Sequence, residues 1–145
     1  MNMKDERQFV GYSKYRSRLV DGHVHTELCP HGSGDRTAMM IEKAIELRIE
    51  KVCLTEHAPL PTAFAAEYGG DKKAYDTASL KLNEVDTYLE LGRQLQRAYG
   101  THIDISLGFE VDYIPGFESD IQEFLDRYGP LTDDNILSVH FMDCL

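Results

Sequence analysis

No apolar run in this chain approaches the ~18 residues that a membrane-spanning helix requires, and no signal-peptide core follows its polar N-terminus. Cysteine is scarce: Cys29, Cys53 and Cys144 are odd in number, widely spaced and form no Cys-x-x-Cys pair. That excludes a disulfide framework and points to a reducing compartment, hence the cytoplasm. An excess of basic residues is missing too. Fifteen Lys and Arg stand against 25 Asp and Glu, a net charge of −10, which argues against a nucleic-acid partner as the missing apolar run argues against a membrane. A small anionic substrate stays compatible, because bound metal ions reverse the local field. Internal repeats and low-complexity tracts are also absent. At 145 residues, 42% of them hydrophobic, the chain fits one globular domain with a real core.

The stretch that organises the chain is Asp21-Gly-His-Val-His-Thr-Glu-Leu-Cys-Pro-His31. Residues two apart on a strand share a face, so His23 and His25 can reach one ion, and Val24 between them favours the extended backbone. Thr26, Pro30, Gly32 and Gly34 then break the strand, and the turn can fold His31 back towards the same place. Three imidazoles within nine positions suit a divalent transition metal.

Along the chain, residues 1–18 carry Lys4, Arg7, Lys14, Arg16 and Arg18 among few apolar positions and read as an extension. A first strand spans Leu19–His25. Asp35 is the expected N-cap of a helix over about 36–48, with Ala38, Ile41, Ala44 and Ile45 on one face. A second strand spans Lys51–His57 and is ended by Pro59 and Pro61; together these make a βαβ unit, hence parallel pairing. Residues 58–79 form a long polar excursion. A helix over about 80–99, a strand over His102–Glu110, a helix over about 117–128 and a strand over Asn135–His140 follow.

His23 and His25, His57, Glu110, and His140 all fall at the C-terminal ends of successive predicted parallel strands. In α/β barrels that face carries the active site. Glu110 is the natural bridging ligand, because one carboxylate can bind two metals. Asp112 shares its face and could orient a ligand. Of Glu56 and His57, which point oppositely, His57 is taken as the ligand and Glu56 as a structural or orienting acid. Asp21, at the strand parity of His23, is read as an orienting acid. Cys29 is read as a small packed residue, and His102, which opens a strand, is left out.

Taken together, Asp21–Gly32, Thr55-Glu-His-Ala-Pro59, Gly108-Phe-Glu-Val-Asp-Tyr113 and Ser138-Val-His-Phe141 resemble the polymerase-and-histidinol-phosphatase (PHP) superfamily, and within it the histidinol-phosphatase branch. The resemblance implies that residues 19–145 are about four βα units from the N-terminal portion of a distorted, TIM-like (β/α)7 barrel. It implies a cofactor of two or three divalent metal ions (Zn, Fe or Mn) and hydrolysis of L-histidinol phosphate, a step of histidine biosynthesis. Carried over by position, His23, His25 and Glu110 hold one metal, Glu110 bridges to a second that also takes His140, and His31 and His57 hold a third.

A complete barrel needs a chain nearer ~250 residues. Family members draw an Asp and two further His from later strands, so catalysis by this chain alone is expected to be poor. A non-catalytic structural or interaction module and another PHP phosphoesterase, such as a nuclease, are the competing readings. The open edge of the last strand makes self-association an expectation as well.

Overall fold

The computed structural model describes residues 18–142; the predicted extension, apart from Arg18, and Cys144 lie outside the described residues. In chain order the elements are β1 (Val20–Val24), α1 (Thr37–Glu46), β2 (Lys51–His57), α2 (Phe64–Glu67), α3 (Lys72–Asp76), α4 (Val85–Tyr99), β3 (Asp104–Asp112), α5 (Glu118–Tyr128) and β4 (Ile136–Ser138). The four strands form one parallel sheet in the order β1-β2-β3-β4. Parallel neighbours require crossovers, and here these contain helices.

β2 and β3 are central and buried along nearly their whole length, polar positions such as Thr55, Glu56, Ser106 and Glu110 included. Val52 and Leu54 of β2, with Ile105, Leu107, Phe109 and Val111 of β3, face the helices and pack on Ile41, Ala44, Val85, Tyr88, Leu89 and Leu95. The alternate set, including Thr55, His57, Ser106, Gly108, Glu110 and Asp112, points to the opposite face. The β2–β3 register runs unbroken from Lys51↔Asp104 to His57↔Glu110. Against β1 it does not: Asp21 pairs with Val52 and Val24 with Leu54, three steps on one strand against two on the other. The extra residue is a β-bulge, a device that bends the strand and re-aims its side chains.

Several boundaries differ from those the sequence predicts. Asp35 does not cap α1; Arg36 occupies the cap position without a side-chain bond. Glu27 supplies the acceptor instead, taking the Thr37 N–H at 2.7 Å and the Thr37 hydroxyl on Oε2. A carboxylate from the preceding loop thereby satisfies a donor that the helix start leaves open. The excursion over 58–79 contains α2 and α3, and a 3₁₀ turn at Leu82–Glu84 precedes α4. β3 begins later and runs two residues beyond Glu110, whereas β4 has only three residues, so His140 lies beyond its end. β1 and β4 are the edges of the sheet among the described residues, and Leu137 and Val139 beside the β4 edge are exposed.

Gly108 shows how tightly the segment leading into β4 lies on β3. A Cβ there would sit 1.5 Å from the Asp134 carbonyl oxygen, a backbone atom that cannot swing aside. Gly108→Ala is therefore expected to destabilise the fold by about 1–3 kcal/mol or more, as overpacking does. Urea denaturation measures this directly, and an unchanged midpoint would contradict the close approach.

Candidate metal centre

A cleft of about 450 Å³ opens at the C-terminal ends of the strands, lined by His23, His25, His31, His57, Glu110 and His140. Its hub is the Glu110 carboxylate, buried to 3% exposure. Glu110 Oε2 lies 3.0 Å from His23 Nε2, 3.3 Å from His25 Nε2 and 3.1 Å from His57 Nδ1, while Oε1 faces His140 Nε2 at 3.6 Å. His23 Nε2 and His25 Nε2 are themselves 2.9 Å apart. Ligand bonds of ~2.0–2.1 Å in tetrahedral array imply ligand–ligand edges of about 3.3 Å, close to those of the His23–His25–Glu110 triangle. His57 Nδ1 adds a second observation: it is buried and has no hydrogen-bond partner, although Glu110 Oε2 is near. A buried imidazole nitrogen left open beside a carboxylate fits a cation better than a hydrogen bond.

For three of the histidines the outer nitrogen is held so that the inner one is aimed at the cleft. His25 Nδ1 lies 3.1 Å from Glu56 Oε1. His31 Nδ1 lies 2.8 Å from the Thr77 carbonyl, which accepts its proton and leaves Nε2 facing the cleft. His140 Nδ1 lies 2.9 Å from Asp112 Oδ1, and the same oxygen accepts the His140 N–H at 3.2 Å. Partners of this kind fix the tautomer and ring orientation of metal-binding histidines. Three sets could each hold a metal ion: His23, His25 and Glu110; His57, Asp112 and His140; and His25, Cys29 and His57.

Glu56 is fully buried on the helix side of β2, yet it stays ionised. Burial pushes its carboxyl up, but hydrogen bonds from His25 and from the Thr26 hydroxyl and N–H outweigh it and leave the pKa below the ordinary value. His25 is correspondingly raised, chiefly by its bond to Glu56. His57 is lowered, first by burial and then by the charge on His25. A neutral His57 is the form that can donate a lone pair to a metal.

Of the residues picked out in the sequence, His23, His25, His31, His57, Glu110 and His140 converge on this cleft, with Asp112 beside them. Asp21 does not join them. The register shift between it and Val24 breaks the expected parity, its carboxylate meets the His23 backbone N–H at 3.5 Å, and it borders a depression beside α1. His102 is remote and exposed. Cys29 and Cys53 are free and buried, and burial together with the Glu56 charge pushes the Cys29 thiol up. Thr26 and the Thr77 carbonyl were not legible as site groups. The first reads as a strand breaker, and a backbone oxygen leaves no mark in a sequence.

A parallel α/β sheet with a histidine–carboxylate cluster at its strand ends defines a metal-centre domain of the α/β-barrel class. The chain belongs to the PHP domain family, whose model matches residues 21–144. It is 41% identical over 122 residues to a histidinol-phosphatase from Bacillus subtilis, covering 84% of this chain and 44% of that protein. A solved structure assigned as a histidinol phosphatase from Listeria monocytogenes superposes with a TM-score of 0.82 at 43% identity, over 83% of this chain and 44% of the other. A histidinol phosphate phosphatase from Lactococcus lactis, solved with Zn, L-histidinol and phosphate, gives a TM-score of 0.65 at 27% identity, over 87% and 41%. The chain thus spans less than half the length of the relatives it matches, and its sheet corresponds to the N-terminal part of their barrel. Among the described residues no helix is long and apolar enough to cross a membrane.

Glu56→Gln tests the buried acid without metal. An amide would turn its NH2 either towards the His25 ring and the His57 N–H or towards the Thr26 hydroxyl and N–H, at a cost of about 2–3 kcal/mol. Because the folded pKa is lowered, the stabilisation is present above the ordinary value of 4.5 and is lost as pH falls through the folded pKa. Denaturation of the chelator-treated proteins should show a gap at pH 7 that narrows below pH 4.5; a pH-independent gap would remove the charge from the explanation.

Proposed function

We propose that this chain carries the ligands of a di- or trinuclear metal centre that hydrolyses L-histidinol phosphate to L-histidinol and phosphate, within histidine biosynthesis in the cytoplasm. The observation that carries the reading is the environment of Glu110, with three imidazole nitrogens around one oxygen and a fourth at the other. Relatives whose names specify this substrate, one of them holding Zn, L-histidinol and phosphate, support it.

His23, His25 and Glu110 would hold one cation, Glu110 would bridge to a second shared with His140, and His31 and His57 would hold a third. Zn, Fe and Mn all suit such a donor set, and the Zn of the Lactococcus structure favours the first. When bound, the cations neutralise the phosphoryl oxygens and lower the pKa of a coordinated water towards ~7. The chain's own residues supply position and charge. Glu110 would offset the charge of the cations held there, while Glu56, Thr77 and Asp112 keep three imidazoles aimed inward. Ala74, Thr77, Ala78 and Phe141 form a wall of the cleft on which the organic part of the ester can rest.

Two measurements test the reading. Purified protein should contain divalent metal and lose most of it in the His23→Ala, His25→Ala double variant; equal content in both would remove the assignment. Phosphate release from L-histidinol phosphate should be abolished by chelator. In a chain of the relatives' full length it should fall roughly a hundredfold or more with Glu110→Gln, since several kcal/mol of charge stabilisation depend on that carboxylate. A retained rate would show that Glu110 does not bridge.

A further inference from the structure

Behind the cleft, on the helix side of the sheet, one buried hydroxyl joins the two strands that hold the centre. Tyr88 of α4 has no solvent exposure. Its hydroxyl donates to the Gly108 carbonyl at 2.6 Å and accepts the Glu56 N–H at 3.3 Å. Gly108 lies two residues before Glu110 on β3. Glu56 lies one residue before His57 on β2, and its carboxylate holds His25 and Thr26. The contact therefore spans both strands immediately behind the His57↔Glu110 pair.

The helix is brought close enough for this at Gly92, one turn further along. A Cβ there would lie 2.3 Å from Leu107 Cδ1, so a side chain at that position would have to displace the Leu107 side chain packed between α4 and β3. Apolar packing does not explain the hydroxyl. Phenylalanine would fill nearly the same volume against Phe109, whose ring centroid is 5.2 Å away. A buried hydroxyl without partners would itself cost about 1–3 kcal/mol. Its two partners here belong to the two central strands at the level of the site.

We propose that Tyr88 is a positioning residue of the metal centre: its hydroxyl clamps the backbones of Glu56 and Gly108 and so sets the spacing between the His25–Glu56 pair and the His57–Glu110 pair. This rests on the metal-centre reading above. Groups that hold metal ligands in place typically alter affinity by 10–100-fold when removed, and tenfold is the effect expected for Tyr88→Phe.

The test uses Zn affinity of the 145-residue chain, measured by competition with a chelating dye, alongside the melting temperature with and without Zn. Leu95→Ala serves as a control that loosens the same helix away from the site. Tyr88→Phe should bind Zn about tenfold more weakly and show a smaller Zn-induced rise in melting temperature. Leu95→Ala should melt lower but keep wild-type affinity. Affinity of Tyr88→Phe within twofold of wild type overturns the role of Tyr88 and leaves the metal centre standing. An equal loss in Leu95→Ala also overturns it, since general loosening would then suffice. Failure of the wild-type chain to bind Zn overturns both readings. Should Tyr88→Phe not fold, 3-fluorotyrosine at position 88 keeps the hydroxyl: its ¹⁹F resonance is expected to shift on adding Zn, and an unmoved resonance overturns the proposal.

Discussion

Parallel pairing of β2 with β3 sets His57 opposite Glu110, and the rest of the centre is arranged around that pair. The pairing holds because both strands are buried, so slipping one residue would send Val52, Leu54, Ile105 and Leu107 to the wrong face. The register that satisfies the apolar core also delivers a carboxylate and an imidazole to adjacent positions at the same strand ends. Core packing and site geometry are in this sense one constraint. The bulge in β1 then sets His23 and His25 against the same carboxylate oxygen.

The polar groups of the site are buried in an uneven way, and the unevenness carries chemical meaning. Glu56 has its donors and stays ionised in the interior, where an unpaired charge would be expensive. His57 Nδ1 has none, although it is buried as well. Satisfied groups hold the scaffold, while the open nitrogen and the Glu110 carboxylate face the cleft. Burial, and after it the charge of the adjacent His25, pushes His57 towards its neutral form. A cation is the natural occupant of such a cluster.

The helices and strands were legible where periodicity was strong. The faces read from Ile41 and Ala44, and from Val85, Tyr88, Leu89 and Leu95, are the ones buried. Boundaries were less so, because they depend on groups distant in sequence. Asp35 has the right chemistry for an N-cap, but Glu27 reaches Thr37 first. Asp21 has the right parity to accompany His23, but parity presumes an unbroken register and β1 carries an extra residue. The two short helices within 58–79 have too few residues to show a period.

Residue types and their order along the chain were enough to place a histidine- and carboxylate-rich centre at the ends of parallel strands. That is local information: side-chain chemistry, a two-residue alternation and the breakers that end each strand. The tertiary structure alone decided which nitrogen of His25, His31 and His140 faces inward, because the carboxylate of Glu56, a backbone carbonyl of Thr77 and the carboxylate of Asp112 hold the other. It alone placed Asp21 against the His23 backbone rather than in the cleft and brought the Tyr88 hydroxyl to the back of the site. The contacts of His31, His140 and Tyr88 join groups 20 to 46 residues apart, from Tyr88 with Gly108 to His31 with Thr77. Such contacts arise only when the packed core sets the separation of its helices and strands.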